Sequence, residues 1–155
     1  MTNRTINPPR IYSEWAEILD MLKSKTDDVA VLSALQQGTI EWQSGVAERF
    51  ASKLIDTINS RMNAATDKFQ KDLNNARGHE GSVIQALLAL RKEMAFLAQA
   101  INLPVIPIND RNKYQQLVLQ QADNIQKSLE DSAKNDRTGK MSSIIKNHKI
   151  NNFTR

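Results

Sequence analysis

Apolar side chains return at helical intervals through most of the chain. Trp15, Ile18, Leu19 and Leu22 recur at steps of three and four and therefore share one face. With Ser13 as a cap and Glu14 and Glu17 suited to the positive end of the dipole, they predict an amphipathic helix over 13–24. Val29, Leu32 and Leu35 supply a shorter second face after Thr26-Asp27-Asp28, and Gln37-Gly38 offers a left-handed stop. A brief helix over 27–37 follows.

The clearest periodicity comes next. Ala47, Ala51, Leu54, Ile58, Met62, Ala65, Phe69, Leu73 and Ala76 are spaced by about 3.6 residues on average, the period of a straight α-helix. Phe50 and Ile55 widen the stripe. Unbroken from Thr39 to Arg77, this helix would span roughly 58 Å, with Gly45 and Asn59-Ser60 as the places for a bend. Gly78-His79-Glu80-Gly81 then interrupts the pattern, and Ser82 can cap a new helix. Its stripe is Val83, Leu87, Leu90, Met94, Leu97 and Ile101. Folding the two stripes back on each other brings Ala76 towards Val83, Leu73 towards Leu87 and Ala65 towards Met94, small residues against large ones.

Two prolines in Leu103-Pro104-Val105-Ile106-Pro107-Ile108 forbid a regular helix and predict an extended crossover. From Asp110 a last long helix runs through Tyr114, Leu117, Val118, Gln121, Ile125, Leu129 and Ala133, on a thinner and more polar stripe. The fold expected is all-α, an antiparallel helical bundle built on a long helical hairpin, with two short N-terminal helices and a basic C-terminal tail. Residues 1–12, with Asn7-Pro8-Pro9, form an extended arm, 13–137 the bundle, and 138–155 a tail that is flexible or a short helix.

Charge changes this picture at one end only. The net charge is +4, but Met1 to Asp136 is balanced, with 16 basic and 17 acidic residues, whereas 137–155 holds five basic residues and no acid. With 40% hydrophobic residues and five glycines and four prolines in 155 residues, the composition suits one globular domain of long helices. The chain has no cysteine, which excludes disulfides, thiolate zinc sites and cysteine nucleophiles and is compatible with a reducing compartment. Without an apolar leader-like stretch at its start or a run of about 18–20 apolar residues, the chain reads as cytoplasmic, with no membrane contact.

Candidate chemistry adds little. His79 and His148 stand alone, so no metal cluster is expected, and Asp27, Asp28 and Asp110 sit where helix caps belong. Glu130-Asp131 lies within ion-pairing reach of Lys127 and Lys134, and Thr138-Gly139-Lys140 lacks the earlier glycine and strand of a phosphate loop. Arg91, Glu93, Tyr114 and Asp123 are scattered and define no catalytic set. No catalytic residue, cofactor or small-molecule substrate is therefore predicted.

Two features stand out. Trp15, Trp42, Val105, Ile106 and Ile108 gather at one end of the folded-back hairpin, where they either close the base of the bundle or meet a partner. Arg137, Lys140, Lys146, Lys149 and Arg155 could neutralise phosphates, although Phe153 is the only aromatic beside them. The expectation is a non-catalytic helical interaction module, an adaptor, assembly factor or regulator, whose partner is another protein or a second copy of itself. The alternative is an accessory nucleic-acid-binding protein that grips phosphates through its tail.

Overall fold

A computed structural model describes residues 5–136 and 138–151. It is all-helical, with six helices and no strand among the described residues: α1 (Tyr12–Lys23), α2 (Asp28–Gln37), α3 (Val46–Ala76), α4 (Glu80–Ile101), α5 (Ile108–Ala133) and α6 (Lys140–Asn147). The long helices α3 and α4 form the antiparallel hairpin of a helical bundle, two short helices precede them, and the basic C-terminal segment follows α5. Arg77 and Gly78 turn the chain at positive φ, 50° and 78°, and His79 N donates to Ala76 O at 2.8 Å. Glu80 opens α4, so Gly81 and Ser82 lie inside its first turn rather than before it.

The chain divides into two compact units. Among the described residues, unit 1 comprises 5–61 and 99–114, and unit 2 comprises 62–98, 115–136 and 138–151.

Unit 1 is built around rings and one buried cation. Trp15 is fully buried, its ring 5.0 Å from that of Phe50 in an edge-on arrangement, and its Nε1 donates to Thr39 O at 2.7 Å. Thr39 N donates to Pro9 O at 2.9 Å. With both its backbone groups engaged in this way, Thr39 does not start a helix. The chain runs non-helically to Gly45, at φ 84°, and α3 begins at Val46, shorter than the 39–77 span that periodicity allows. Gly38 is not the left-handed stop that the sequence suggests, since its φ is −72°. Its lack of a side chain serves space instead, because a Cβ there would lie 2.6 Å from Trp15 Cζ2 and 2.9 Å from Pro9 Cγ.

Ser13 likewise falls inside α1, whose N-cap is Ile11. The cap chemistry comes from Glu14, whose carboxylate accepts from Arg10 N at 2.9 Å and Ile11 N at 3.3 Å. These backbone bonds, Arg10 first, hold the Glu14 carboxyl below the usual carboxylate range.

Arg61 has no counterpart in the apolar pattern. It is 1% exposed, and its guanidinium donates to Leu22 O at 3.0 Å and in a fork to Asp28 Oδ1 and Oδ2, at 2.9 and 3.1 Å. One planar cation thus satisfies a carbonyl near the end of α1 and the first acidic residue of α2, tying both to α3.

Unit 2 is aliphatic. Phe69, Val83, Leu87, Leu90, Met94 and Leu97 are buried as their stripes require. Along α5 the buried positions are Val118, Ala122, Gln126, Leu129 and Ala133, while Leu117 and Gln121 are exposed and Ile125 is half-buried. The inward face is therefore rotated from the predicted stripe in the middle of the helix. Near the centre of that inward face is Gln126, whose amide donates to Ile145 O at 3.4 Å and accepts from Ile150 N at 3.1 Å. A polar side chain is buried because it receives the backbone of the segment that follows α5.

That segment is helical over Lys140–Asn147, with Ile144, Ile145 and Ile150 buried. Asp136 shapes its start. The carboxylate accepts from Thr138 N at 3.1 Å, Thr138 Oγ1 at 2.9 Å and Met141 N at 2.9 Å. The Met141 and Thr138 bonds hold Asp136 below the usual carboxylate range.

Candidate binding surfaces

Each unit presents one surface of interest, and each arises from the way its core closes.

In unit 1, α1 and the start of α3 bring Trp15 and Phe50 together, and Phe50 also meets Trp42 from the preceding segment. Phe50 and Trp15 are buried. Trp42 remains 41% exposed although its ring meets Phe50 edge-on at 5.8 Å. Arg49 stacks its guanidinium 4.9 Å from the centre of the Tyr12 ring. Ile11, beside Tyr12, is exposed. An aromatic ring held in one orientation and an arginine held over a second ring are the side chains most often found where proteins bind one another, because they offer large contact area at small cost in conformational freedom.

The crossover lies in the same unit. Ile106 is buried and Val105 half-buried, whereas Ile108, the first residue of α5, is 63% exposed. Of the five apolar residues singled out in the sequence, Trp15 and Ile106 thus serve the core of unit 1, and Trp42 and Ile108 reach solvent. Tyr12 and Arg49 escape a reading of apolar periodicity because neither belongs to a stripe.

In unit 2, an apolar pocket of about 450 Å³ opens among α3, α4, α5 and α6. Its walls are mainly Phe69, Leu73, Val83, Leu87, Leu129, Ala133, Met141, Ile144 and Ile145, with Ser132, Asp136, Thr138 and Lys140 also lining it. The folded-back stripes, small residues against large ones, give no sign of this space. Phe69, Leu73, Val83, Leu87, Leu129 and Ala133 belong to stripes read from the sequence, whereas Met141, Ile144 and Ile145 come from the segment after α5.

Of the basic residues at the C-terminal end, Lys140, Lys146 and Lys149 are exposed, and Lys140 pairs with Glu80 at 3.3 Å. Arg137 and Arg155 lie outside the described residues. Among the described residues, no three His, Asp or Glu side chains come together as a metal site would require, and no helix is long and apolar enough to cross a membrane.

The chain matches no protein-family model, no curated protein and no solved structure.

Proposed function

We propose that the chain is a non-catalytic helical interaction module, an adaptor, assembly factor or regulator working in the cytoplasm, that docks on a protein partner through the aromatic surface of unit 1. The observation that supports this reading is Trp42, a large ring left 41% exposed yet oriented by Phe50. Tyr12 and Arg49 add an oriented cation–ring pair in the same unit. A buried aromatic anchor is the usual centre of a binding hot spot, and truncating one typically costs about 2 kcal/mol or more of binding. Ile108 supplies further exposed apolar surface.

The test is capture on the immobilised full-length chain from nuclease-treated lysate of its own cells, beside Trp42→Ala and Ile108→Ser variants whose helicity is checked first by circular dichroism. Loss of a captured protein in Trp42→Ala with helicity intact supports the reading, and light scattering of the chain alone tells whether that protein is a second copy. Capture indifferent to Trp42, or abolished by nuclease, sinks it. The nuclease outcome favours phosphate binding by the basic segment, tested with Lys146→Glu and Lys149→Glu. Deleting that segment would be a poor control, since Ile144, Ile145 and Ile150 belong to the core of unit 2.

A further inference from the structure

The pocket in unit 2 shares no lining residue with the aromatic surface of unit 1. Its volume, about 450 Å³, falls within the range of about 300–1,000 Å³ that small-molecule sites occupy. An apolar cavity of about 150 Å³ already takes up benzene, so three times that volume suits a chain on the order of a dozen carbons. The walls are aliphatic and aromatic. What distinguishes the lining is the state of its two charged groups. The Asp136 carboxylate is committed to Thr138 and Met141, where it starts α6. Lys140 carries three ammonium protons and pairs with Glu80 at 3.3 Å, both side chains being more than half exposed. An exposed pair of this kind contributes little and exchanges readily for another anion.

We infer that this pocket binds a single-chain amphiphile with an anionic head, the chain lying among Leu73, Leu87, Leu129 and Ile144 and the carboxylate meeting the Lys140 ammonium. The inference does not depend on the docking role of unit 1. The apolar chain supplies most of the affinity, and Lys140 selects the sign of the head.

Calorimetric titration of the full chain with octanoate, decanoate and dodecanoate, each below its micellar concentration, tests it. Affinity should rise about fourfold for each added methylene until the pocket is full. Dodecanoate should bind about fivefold more tightly than dodecyltrimethylammonium, and Lys140→Glu should remove or reverse that preference. Ala133→Trp, which fills the pocket, should abolish binding. Because that variant could fail to fold, methyl NMR of the unaltered chain provides a second reading: Leu73, Leu87 and Leu129 should shift on titration, and Leu19 and Leu35 of unit 1 should not. Absence of saturable binding, equal or tighter binding of the cationic amphiphile, or shifts centred on unit 1 would overturn the inference.

Discussion

Unit 1 sets Trp15, Phe50 and the Arg61 guanidinium, three planar and directional shapes, among its buried aliphatic side chains, and two of the three are also held by hydrogen bonds. Unit 2 buries one ring, Phe69, and one amide, Gln126, in an interior made mostly of Leu, Ile, Val, Met and Ala, and a pocket of about 450 Å³ stays open. Planar groups with polar edges specify their neighbours one by one, as Trp15 specifies Thr39 and Arg61 specifies Leu22 and Asp28. Aliphatic side chains ask only to be out of water, so a space that is apolar and partly enclosed satisfies most of their requirement. The two proposals follow this difference, protein docking being assigned to the aromatic surface of unit 1 and small-molecule uptake to the pocket of unit 2.

The largest way to break this contrast is at Arg61. Asp28→Ala leaves a buried guanidinium without its carboxylate and should cost about 3 kcal/mol in urea unfolding, as loss of one partner of a buried pair does. Arg61→Met removes the cation together with its need for a partner and should cost clearly less. Equal losses would show that the clamp acts by packing alone.

Core truncation sharpens the contrast further. Leu19→Ala in unit 1 and Leu87→Ala in unit 2 remove the same atoms from fully buried positions. Leu87 already borders open space, so it has fewer contacts to lose, and its truncation should fall near the lower end of the range of about 2–5 kcal/mol, with Leu19 nearer the upper end. Thermal or urea unfolding of the two variants gives the order directly.

Two glycines separate steric from conformational need. Gly38→Ala pushes a methyl group into Trp15 and Pro9 and should cost about 1–3 kcal/mol, the usual penalty of overpacking. Gly139→Ala meets nothing within 4 Å but must hold φ near 72°, and about 1 kcal/mol is expected. Gly38→Ala should also alter tryptophan fluorescence, whereas Gly139→Ala should not.

The smallest effect is acid sensitivity at the helix starts. Glu14 and Asp136 both have depressed pKa values in the folded chain, so their contributions are present above the ordinary carboxylate pKa and fade as pH falls through the lower folded value. Amide protection factors, each referred to the intrinsic exchange rate at that pH, should therefore fall at the starts of α1 and α6 on acidification. Asp136→Asn should remove this dependence in α6 while leaving it in α1.

Much of the fold is legible in the chain. The periodic stripes announce the helices, the Gly78–Gly81 stretch announces the reversal, and Pro104 and Pro107 announce the break between α4 and α5, because these are local consequences of backbone geometry. That break is a turn in which Ile106 N donates to Leu103 O at 3.1 Å, and not the extended crossing expected. The sites are legible only in part. Trp42 and Ile108 stand out as apolar residues in polar surroundings, yet nothing local shows that Trp15 would be buried while Trp42 stays exposed. Tyr12 and Arg49 become a pair only when α1 meets α3.

The sequence by itself determined where helices form, since that follows from neighbours one turn apart, but only in part which residues avoid water, as the exposed Val29 and Leu117 show. Tertiary structure decided that Thr39 stays out of α3, that Gln126 and Arg61 enter the interior, and that four aliphatic helices leave a pocket. Each of these depends on partners between 19 and 39 positions away along the chain or on the fit between separate helices, distances over which periodicity carries no information.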